Sequence, residues 1–333
     1  MAYRIHMLEP AASFEVIEGE TLLEGADRAG IHLPHDCRFG TCGTCRVRIA
    51  SGSVVYEDFP AGLSREEAEA GFALACQARA LGDLTLQPER LLAPCSAPRR
   101  LRATVSAVQA LGDGVTHLRL ELPREAADLV YRPGQYLNLF LEDGSARSFS
   151  MASRPDGRSV DLHLRRIPEG RFTHHRVGAL RAGDALEVEL PLGGFCHHPE
   201  DYRPLLLLAT GTGLAPLKSI LESLMDSEDC PPVVLYWGAR DEADLYLHHE
   251  VAAWGERFDD FTYVPVLSRA GDGWKGRRGH VQQAALKDFA DLSEHAIYLC
   301  GSPAMIEQSR RAFLERGASI DHIYTDGFSF QPT

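Results

Sequence analysis

The chain lacks an apolar run long enough to span a bilayer. Its densest, at 205–209, falls far short of the ~18–20 residues a spanning helix needs, so no membrane anchor is expected. The opening MAYRIHMLEP has no basic stretch followed by an apolar core, which predicts no secretory signal and a cytoplasmic protein. Positive charge is scarce. Lys and Arg total 34 against 47 Asp and Glu, a formal net charge of −13. A nucleic-acid binder usually carries a basic face, so that class is disfavoured. The first 95 residues contain no lysine; eight Arg stand against fourteen Asp or Glu, a net of −6. No internal repeat is visible. Apolar content of 44% and charged content of 24% exclude long disordered tracts and a collagen-like chain. With 333 residues, two or three domains are expected.

Three segments differ in rhythm. Residues 1–90 start with alternating strand-like runs at 3–8 and 13–17. A helix should follow, with Thr21 as N-cap and Glu24 at capping-box spacing, and then a Gly- and Cys-rich loop. The stretch 92–100 (LAPCSAPRR) has two prolines and no periodicity and reads as a linker. Residues 101–195 alternate apolar and polar positions at 103–108, 115–122, 135–141, 160–166 and 185–190. Turn signals separate these runs, the pattern of a sandwich or barrel, with one helix expected near 172–180. From 204 onward, strand-like 204–209, 233–237, 262–267 and 297–300 alternate with helical stretches such as 215–225 and 303–316. That is βαβ order and implies a parallel sheet.

The eight cysteines are unevenly placed. Cys37, Cys42 and Cys45 have the spacing C-x4-C-x2-C, and Cys76 lies further on, the plant-type pattern for a [2Fe–2S] cluster. Two bridged irons need four thiolates converging from one tight loop and one distant segment. Gly40, Thr41, Gly43 and Thr44 are small enough for such a loop, whose freed N–H groups can bond the sulfurs. The alternatives are a zinc site, which prefers two matched C-x2-C pairs where only one is present, or buried free thiols. Cys95, Cys196 and Cys230 have no matched neighbour and no assigned role.

Two further segments suit dinucleotides. Arg147-Ser148-Phe149-Ser150 lies on an expected strand, followed by His163-Leu164-Arg165-Arg166 and Gly170-Arg171-Phe172-Thr173. An anionic dinucleotide needs a bidentate cation, a flat apolar residue against its ring and N–H groups for its phosphates. Arg147, Phe149 and the 170–173 turn supply one each, although a strand with Arg and aromatics is commonly just a solvated face. After the apolar strand comes Gly211-Thr212-Gly213-Leu214-Ala215-Pro216, a G-x-G-x-x-P rather than G-x-G-x-x-G loop. Its glycines allow close backbone approach, and Pro216 suits a first helical turn. Cys300-Gly301-Ser302-Pro303 marks a strand-to-helix turn, and Asp326-Gly327-Phe328 lies near the end. Alone, Cys300 reads equally as a buried strand-end cysteine and Phe328 as a terminal core aromatic.

Taken in order, the Cys37–Cys76 set, RSFSMA, IPEGRFT, GTGLAP, YLCGSPAM and HIYTDGF resemble the reductase components of bacterial multicomponent oxygenases. The ferredoxin-first reductases of Rieske aromatic-ring dioxygenases, such as the naphthalene and benzoate systems, are the nearest group. The resemblance spans the chain. It implies a multidomain α+β, β-barrel and α/β protein. Residues 1–93 would form a β-grasp ferredoxin domain, 99–198 a six-stranded antiparallel FAD-binding barrel and 203–333 a parallel-sheet NAD-binding domain. It further implies Cys37, Cys42, Cys45 and Cys76 as cluster ligands. Arg147 and Ser148 would bind FAD, with Phe149, which replaces the usual Tyr, stacked on it and Ser150 near N5. His163, Leu164, Arg165, Gly170, Arg171, Phe172 and Thr173 would complete the flavin site. Gly211, Thr212, Gly213, Pro216, Arg240, Cys300 and Gly301 would bind the nicotinamide nucleotide, with Asp326 and Phe328 over the flavin. Ser150, Cys300 and Phe328 would line the reacting centre.

The implied activity is that of an NAD(P)H-dependent flavin and iron–sulfur oxidoreductase of the ferredoxin–NAD+ reductase type. Electrons would pass from NADH through FAD and the cluster to a terminal oxygenase or a small intermediate ferredoxin in aromatic hydrocarbon catabolism. Asp241, beside Arg240, would repel a 2′-phosphate, which favours NADH over NADPH, although Ser268-Arg269 could accept one. The same architecture serves a dehydratase in deoxysugar biosynthesis, and diiron or P450 monooxygenases. A non-catalytic iron–sulfur sensor is the third reading, against which the intact GTGLAP and Phe328 count.

Overall fold

The computed structural model describes residues 2–31, 33–35, 37–88, 96–112, 114–167, 177–225, 227 and 229–327. They gather into two compact units. One lies within residues 1–93 and includes the chain from Thr325; the other lies within 94–324.

In the first unit, strands β1 (Ala2–Met7), β2 (Ala12–Ile17), β3 (Arg46–Ser51), β5 (Phe72–Leu74) and β7 (Leu84–Pro88) form a mixed sheet in the order β2-β1-β7-β3-β5. β1 runs antiparallel to β2 and parallel to β7. A small ladder joins β4 (Val54–Val55) and β6 (Arg79–Ala80). Helix α1 (Leu22–Arg28) starts where the sequence places it. The Thr21 hydroxyl accepts from the Glu24 N–H, and the Glu24 carboxylate takes the Thr21 N–H at 2.8 Å. Helix α2 (Arg65–Glu69) has the same device in Ser64 and Glu67. The α1 residues Leu22, Leu23 and Ala26 pack with Ile5, Val16, Val47, Leu74 and Leu86 in one core.

The second unit carries two sheets, up to Tyr324 of the last strand. The first is antiparallel and contains β8 (Arg99–Ala110), β9 (Val115–Glu121), β10 (Tyr136–Phe140), β11 (Ala146–Ser150), β12 (Ser159–Arg165) and β13 (Ala185–Leu192). Its order is β11-β10-β13-β8-β9-β12, and a bridge between Met151 and Leu162 links the two edges. Leu118, Leu120, Leu137, Leu139, Leu162 and Val188 fill its interior. The expected linker ends earlier than the sequence suggests, because Arg99 and Arg100 already belong to β8. Arg100 is held there by Glu187 at 2.5 Å and by the Phe140 ring, 3.7 Å beneath its guanidinium. Of the helix expected near 172–180, residues 172–176 lie outside the described residues; Val177–Ala179 form a short 3-10 turn.

The other sheet contains β14 (Leu205–Thr210), β15 (Val233–Ala239), β16 (Phe261–Leu267), β17 (Arg277–Arg278), β18 (Ala296–Gly301) and β19 (Ile323–Gly327), in the order β17-β16-β15-β14-β18-β19. β14 runs parallel to β15 and β18, and β15 to β16. Helices α3 (Leu214–Leu224), α4 (His248–Ala253), α5 (Val281–Asp288) and α6 (Pro303–Leu314) lie between these strands in the chain. Leu206, Leu207 and Leu208 are fully buried, each worth about 1.5–3 kcal/mol relative to exposure. A central parallel strand is covered on both faces, which is why it reads as an unbroken apolar run.

Up to Tyr324, the two sheets lie in one compact unit. Buried polar staples explain this. Lys218 on α3 donates to the Ala152 carbonyl at 3.2 Å and pairs with Glu222, and the Ser219 hydroxyl donates to the Ser153 carbonyl at 2.5 Å. Among the described residues no helix is long and apolar enough to cross a membrane.

Candidate redox-cofactor sites

The loop after α1 gathers the first three cysteines. Arg38 takes a left-handed conformation, φ 59°, and ion-pairs with Asp27 at 2.8 Å. The loop then turns so that the N–H groups of Phe39, Thr41 and Cys42 all point at Cys37 Sγ, each at 3.4 Å. A side chain at Gly40 would meet Gln77 Cγ at 2.7 Å and Pro60 Cβ at 2.8 Å, so only glycine closes this loop. Cys76 follows β5. The Gln77 side chain ties it to the loop by donating to the carbonyls of Arg38 and Cys76, both at 2.9 Å.

Cys42, Cys45 and Cys76 are buried and Cys37 is half-buried. The thiols meet as two pairs, Cys37 with Cys42 and Cys45 with Cys76. The Cys42 thiol, helped by the Thr41 and Cys42 amides, holds the Cys37 thiol below its ordinary range against burial. Contact with Cys76, then burial, pushes Cys45 up. Among the described residues no three His, Cys, Asp or Glu side chains converge as a single metal ion requires. Two thiol pairs with amides aimed at sulfur fit a two-iron cluster, which takes two thiolates per iron. Sequence reasoning missed Gln77 and the Arg46–Glu67 pair at 2.9 Å, which is buried directly after Cys45.

On β11 strict alternation puts Arg147 and Phe149 on one face and Ser148 and Ser150 on the other. Phe149 is half-buried against the core of its sheet, and Ser150 is buried. The Ser148 hydroxyl donates to Asn138 Oδ1 at 2.8 Å, which fixes this strand on β10. On β12 the Leu164 side chain lies in the core, so only its main chain could meet a ligand. His163 is buried against Tyr246, while Arg165 remains accessible, 4.0 Å from Asp244. Gly170, Arg171, Phe172, Thr173 and Phe328 lie outside the described residues.

The loop expected to bind the nucleotide follows β14. Gly211–Gly213 make one 3-10 turn, and α3 begins at Leu214, with Pro216 in its first turn as expected. A Cβ on Gly213 would stand 2.3 Å from the Cys300 carbonyl oxygen, so the two motifs pack backbone to backbone. Thr210 Oγ1 accepts the Ser302 N–H at 3.0 Å and ties β14 to the turn after β18. Cys300 is fully buried, so the turn meets its surroundings through backbone rather than thiol. Arg165 also reaches the loop: one of its guanidinium nitrogens lies 2.9 Å from where a Gly211 Cβ would stand. The expected flavin strand and nucleotide loop are therefore adjacent. At the far end of β15, Arg240 is tied to Arg269, whose N–H donates to its carbonyl at 2.8 Å. Asp326 lies on β19, half-buried, one residue before the end of the described chain.

A feature that alternation does not announce is Asp161. It is buried on β12 and held by Arg119 and His117 of β9. Its signal is a charged residue in a strand covered on both faces, visible only once the second sheet is in place.

Comparison with known proteins accords with this geometry. Residues 6–81 match the 2Fe-2S iron-sulfur cluster binding domain, 102–197 the oxidoreductase FAD-binding domain and 207–311 the oxidoreductase NAD-binding domain. The chain is similar to reductase component 1 of terephthalate 1,2-dioxygenase from Comamonas sp., 34% identical over 337 residues, covering 100% of this chain and 99% of that protein. It is also similar to the CDP-6-deoxy-L-threo-D-glycero-4-hexulose-3-dehydrase reductase of Yersinia pestis, 32% identical over 96% of this chain and 97% of the relative. Among solved structures, the Amycolatopsis cytochrome P450 reductase GcoB superposes with a TM-score of 0.75 at 34% identity, covering 98% of each chain.

Proposed function

Because the chain belongs to the family of reductase components that join a 2Fe–2S domain to FAD- and NAD-binding domains, we propose that it carries electrons from NADH through FAD and a [2Fe–2S] cluster to a terminal oxygenase, directly or through a small ferredoxin. The observation that carries this reading is the double thiol pair of Cys37–Cys42 and Cys45–Cys76 under a fan of loop amides. The mixed sheet of the first unit is then a β-grasp ferredoxin domain. The antiparallel sheet bridged at Met151–Leu162 is the flavin barrel, and the parallel sheet is the nucleotide domain. The working parts run 1–93, 99–198 and 203–333.

Bound flavin supplies the exchange between two-electron nicotinamide chemistry and one-electron iron–sulfur chemistry. The chain's own work is to bind and orient. Arg147 would hold the flavin phosphate, and Ser150 would face the ring on the strand pinned by Asn138. The Gly211–Pro216 loop would present main-chain N–H groups at the start of α3 to the nucleotide's pyrophosphate. The turn at Cys300 and Gly301 packs beneath that loop and sets its height. No side chain need act as acid or base on an organic substrate.

Purified protein should hold FAD and about two irons per chain. Cys42→Ser should abolish NADH-driven reduction of cytochrome c while NADH still bleaches the flavin. If both activities survive, this electron path is wrong. The Yersinia relative favours an iron–sulfur dehydratase as a second acceptor. Transfer rates to a purified oxygenase and a purified dehydratase, measured side by side, decide between them.

A further inference from the structure

A run of buried polar and aromatic contacts in the second unit has no part in the reading above. His163 on β12 is 8% exposed, and its Nδ1 lies 3.1 Å from the Tyr246 hydroxyl. Tyr246 sits between β15 and α4. Its ring meets His163 edge-on, centroids 5.4 Å apart, and meets Trp237 of β15 edge-on at 5.2 Å. Trp237 is fully buried, and its Nε1–H donates to the Gly211 carbonyl at 2.9 Å. One unbroken path of side chains thus runs from the His163-Leu164-Arg165 strand to the first glycine of the nucleotide loop.

The chemistry of this path is fixed. Burial, aided by the Lys218 ammonium, holds the His163 imidazole down to about 3, so it is neutral at working pH. Burial pushes the Tyr246 phenol up, so it keeps its proton and can donate to Nδ1. The contact is a neutral hydrogen bond rather than a pH switch. A buried hydroxyl is unfavourable unless it is bonded, and a phenylalanine would fill the same space without that cost. The hydroxyl therefore earns its place by fixing something.

We propose that Tyr246 is a positioning residue for the nicotinamide nucleotide. Its bond to His163 sets the ring against which the Trp237 indole rests, and the indole holds Gly211. The loop is thereby placed relative to β12, the strand that also brings Arg165 to it. This inference rests on residues Gly211–Pro216 being the nucleotide loop. Without the hydroxyl the ring can pivot, the indole loses its stop and the loop loosens. Nucleotide binding then weakens, while electron transfer from nucleotide already bound is little changed.

The test is steady-state reduction of ferricyanide by the holoenzyme with NADH as donor. Tyr246→Phe should raise KM about three- to tenfold, the effect of one neutral hydrogen bond, and leave kcat within about twofold. A lowered Tm with unchanged KM would mean that the bond serves stability only and would overturn the proposal. Tyr246→Phe/His163→Leu removes both partners, so Tm should recover towards wild type while KM stays raised. Recovery of KM together with Tm also overturns it. Gly213→Ala, which must displace the loop from the Cys300 carbonyl, tests the underlying reading. If flavin-loaded Gly213→Ala keeps the wild-type KM, the loop assignment fails. If it loses NADH affinity and Tyr246→Phe does not, only the positioning role fails.

Discussion

Arg119 closes on Asp161 with two nitrogens, Nε 2.7 Å and Nη2 3.0 Å from the carboxylate oxygens, directly across the β9–β12 ladder. His117 Nε2 adds a third contact at 2.9 Å. The Ser153 hydroxyl, which accepts the Asp161 N–H at 3.1 Å, lies in the segment that Ser219 of α3 also grips. Asp161 therefore belongs to the joint between the antiparallel sheet and α3.

This arrangement predicts an acid-sensitive contribution to stability. Burial alone would raise the Asp161 carboxyl, but the bonds from His117 and Arg119 outweigh it and hold the group well below the usual carboxylate range. A carboxyl depressed in the folded state stabilises fully above its unfolded value, near 3.9, and that contribution is lost as pH falls below it. Asp161→Asn should cost about 1–3 kcal/mol at pH 7, a figure discounted because Arg119 is half exposed. Thermal melts at pH 7, 5 and 3 should show wild type falling steeply at the acid end and the variant falling less. Parallel Tm curves for the two proteins would remove Asp161 from this role.

What was legible in the sequence is what is local. The four cysteines, the capping box at Thr21 and Glu24, and the apolar strand before GTGLAP each declare themselves within a short window. Strands β8–β10 and β12–β16 lie close to where alternation or apolar runs put them. Strands β3 and β7 were hidden because their partners are remote. β7 pairs with β1, about eighty residues earlier, and neither strand is long enough to show a period by itself. Polar residues such as His117, Asp161 and Tyr246 were hidden for another reason. Alternation assigns a polar position to solvent, and only the packing of one sheet on the elements of another turns those positions inward. The Trp237–Gly211 bond beside the GTGLAP loop was not visible either, since an indole N–H has no sequence pattern.

The acidity of the first 95 residues predicts a basic docking surface on the electron acceptor. Its net of −6 comes with no lysine, and Glu57 in this unit is 80% exposed. Opposite potentials steer encounter, and screening at about 0.1 M salt already shortens their reach to roughly 10 Å. Electron transfer to the true acceptor should slow several-fold between low and high salt, while flavin reduction by NADH is unchanged. Glu57→Lys should flatten that salt dependence. A rate indifferent to salt would mean that the acidity serves solubility alone.

The ends of β15 and β16 bear on which nicotinamide nucleotide is used. The Ser268 N–H donates to the Ala239 carbonyl at 3.0 Å and the Arg269 N–H to that of Arg240 at 2.8 Å, so the two arginines and Asp241 share one edge of the sheet. A 2′-phosphate there would gain from the guanidinium groups and lose to the exposed Asp241 carboxylate. A like charge ~8 Å away at an effective dielectric of about 20–40 is worth ~1–2 kcal/mol, roughly tenfold in binding. NADH should therefore exceed NADPH in kcat/KM by about tenfold or more, and Asp241→Ala should narrow the ratio mainly by improving NADPH. Equal use of the two donors by wild type, or a ratio that Asp241→Ala leaves in place, would show that Asp241 does not face the 2′ position.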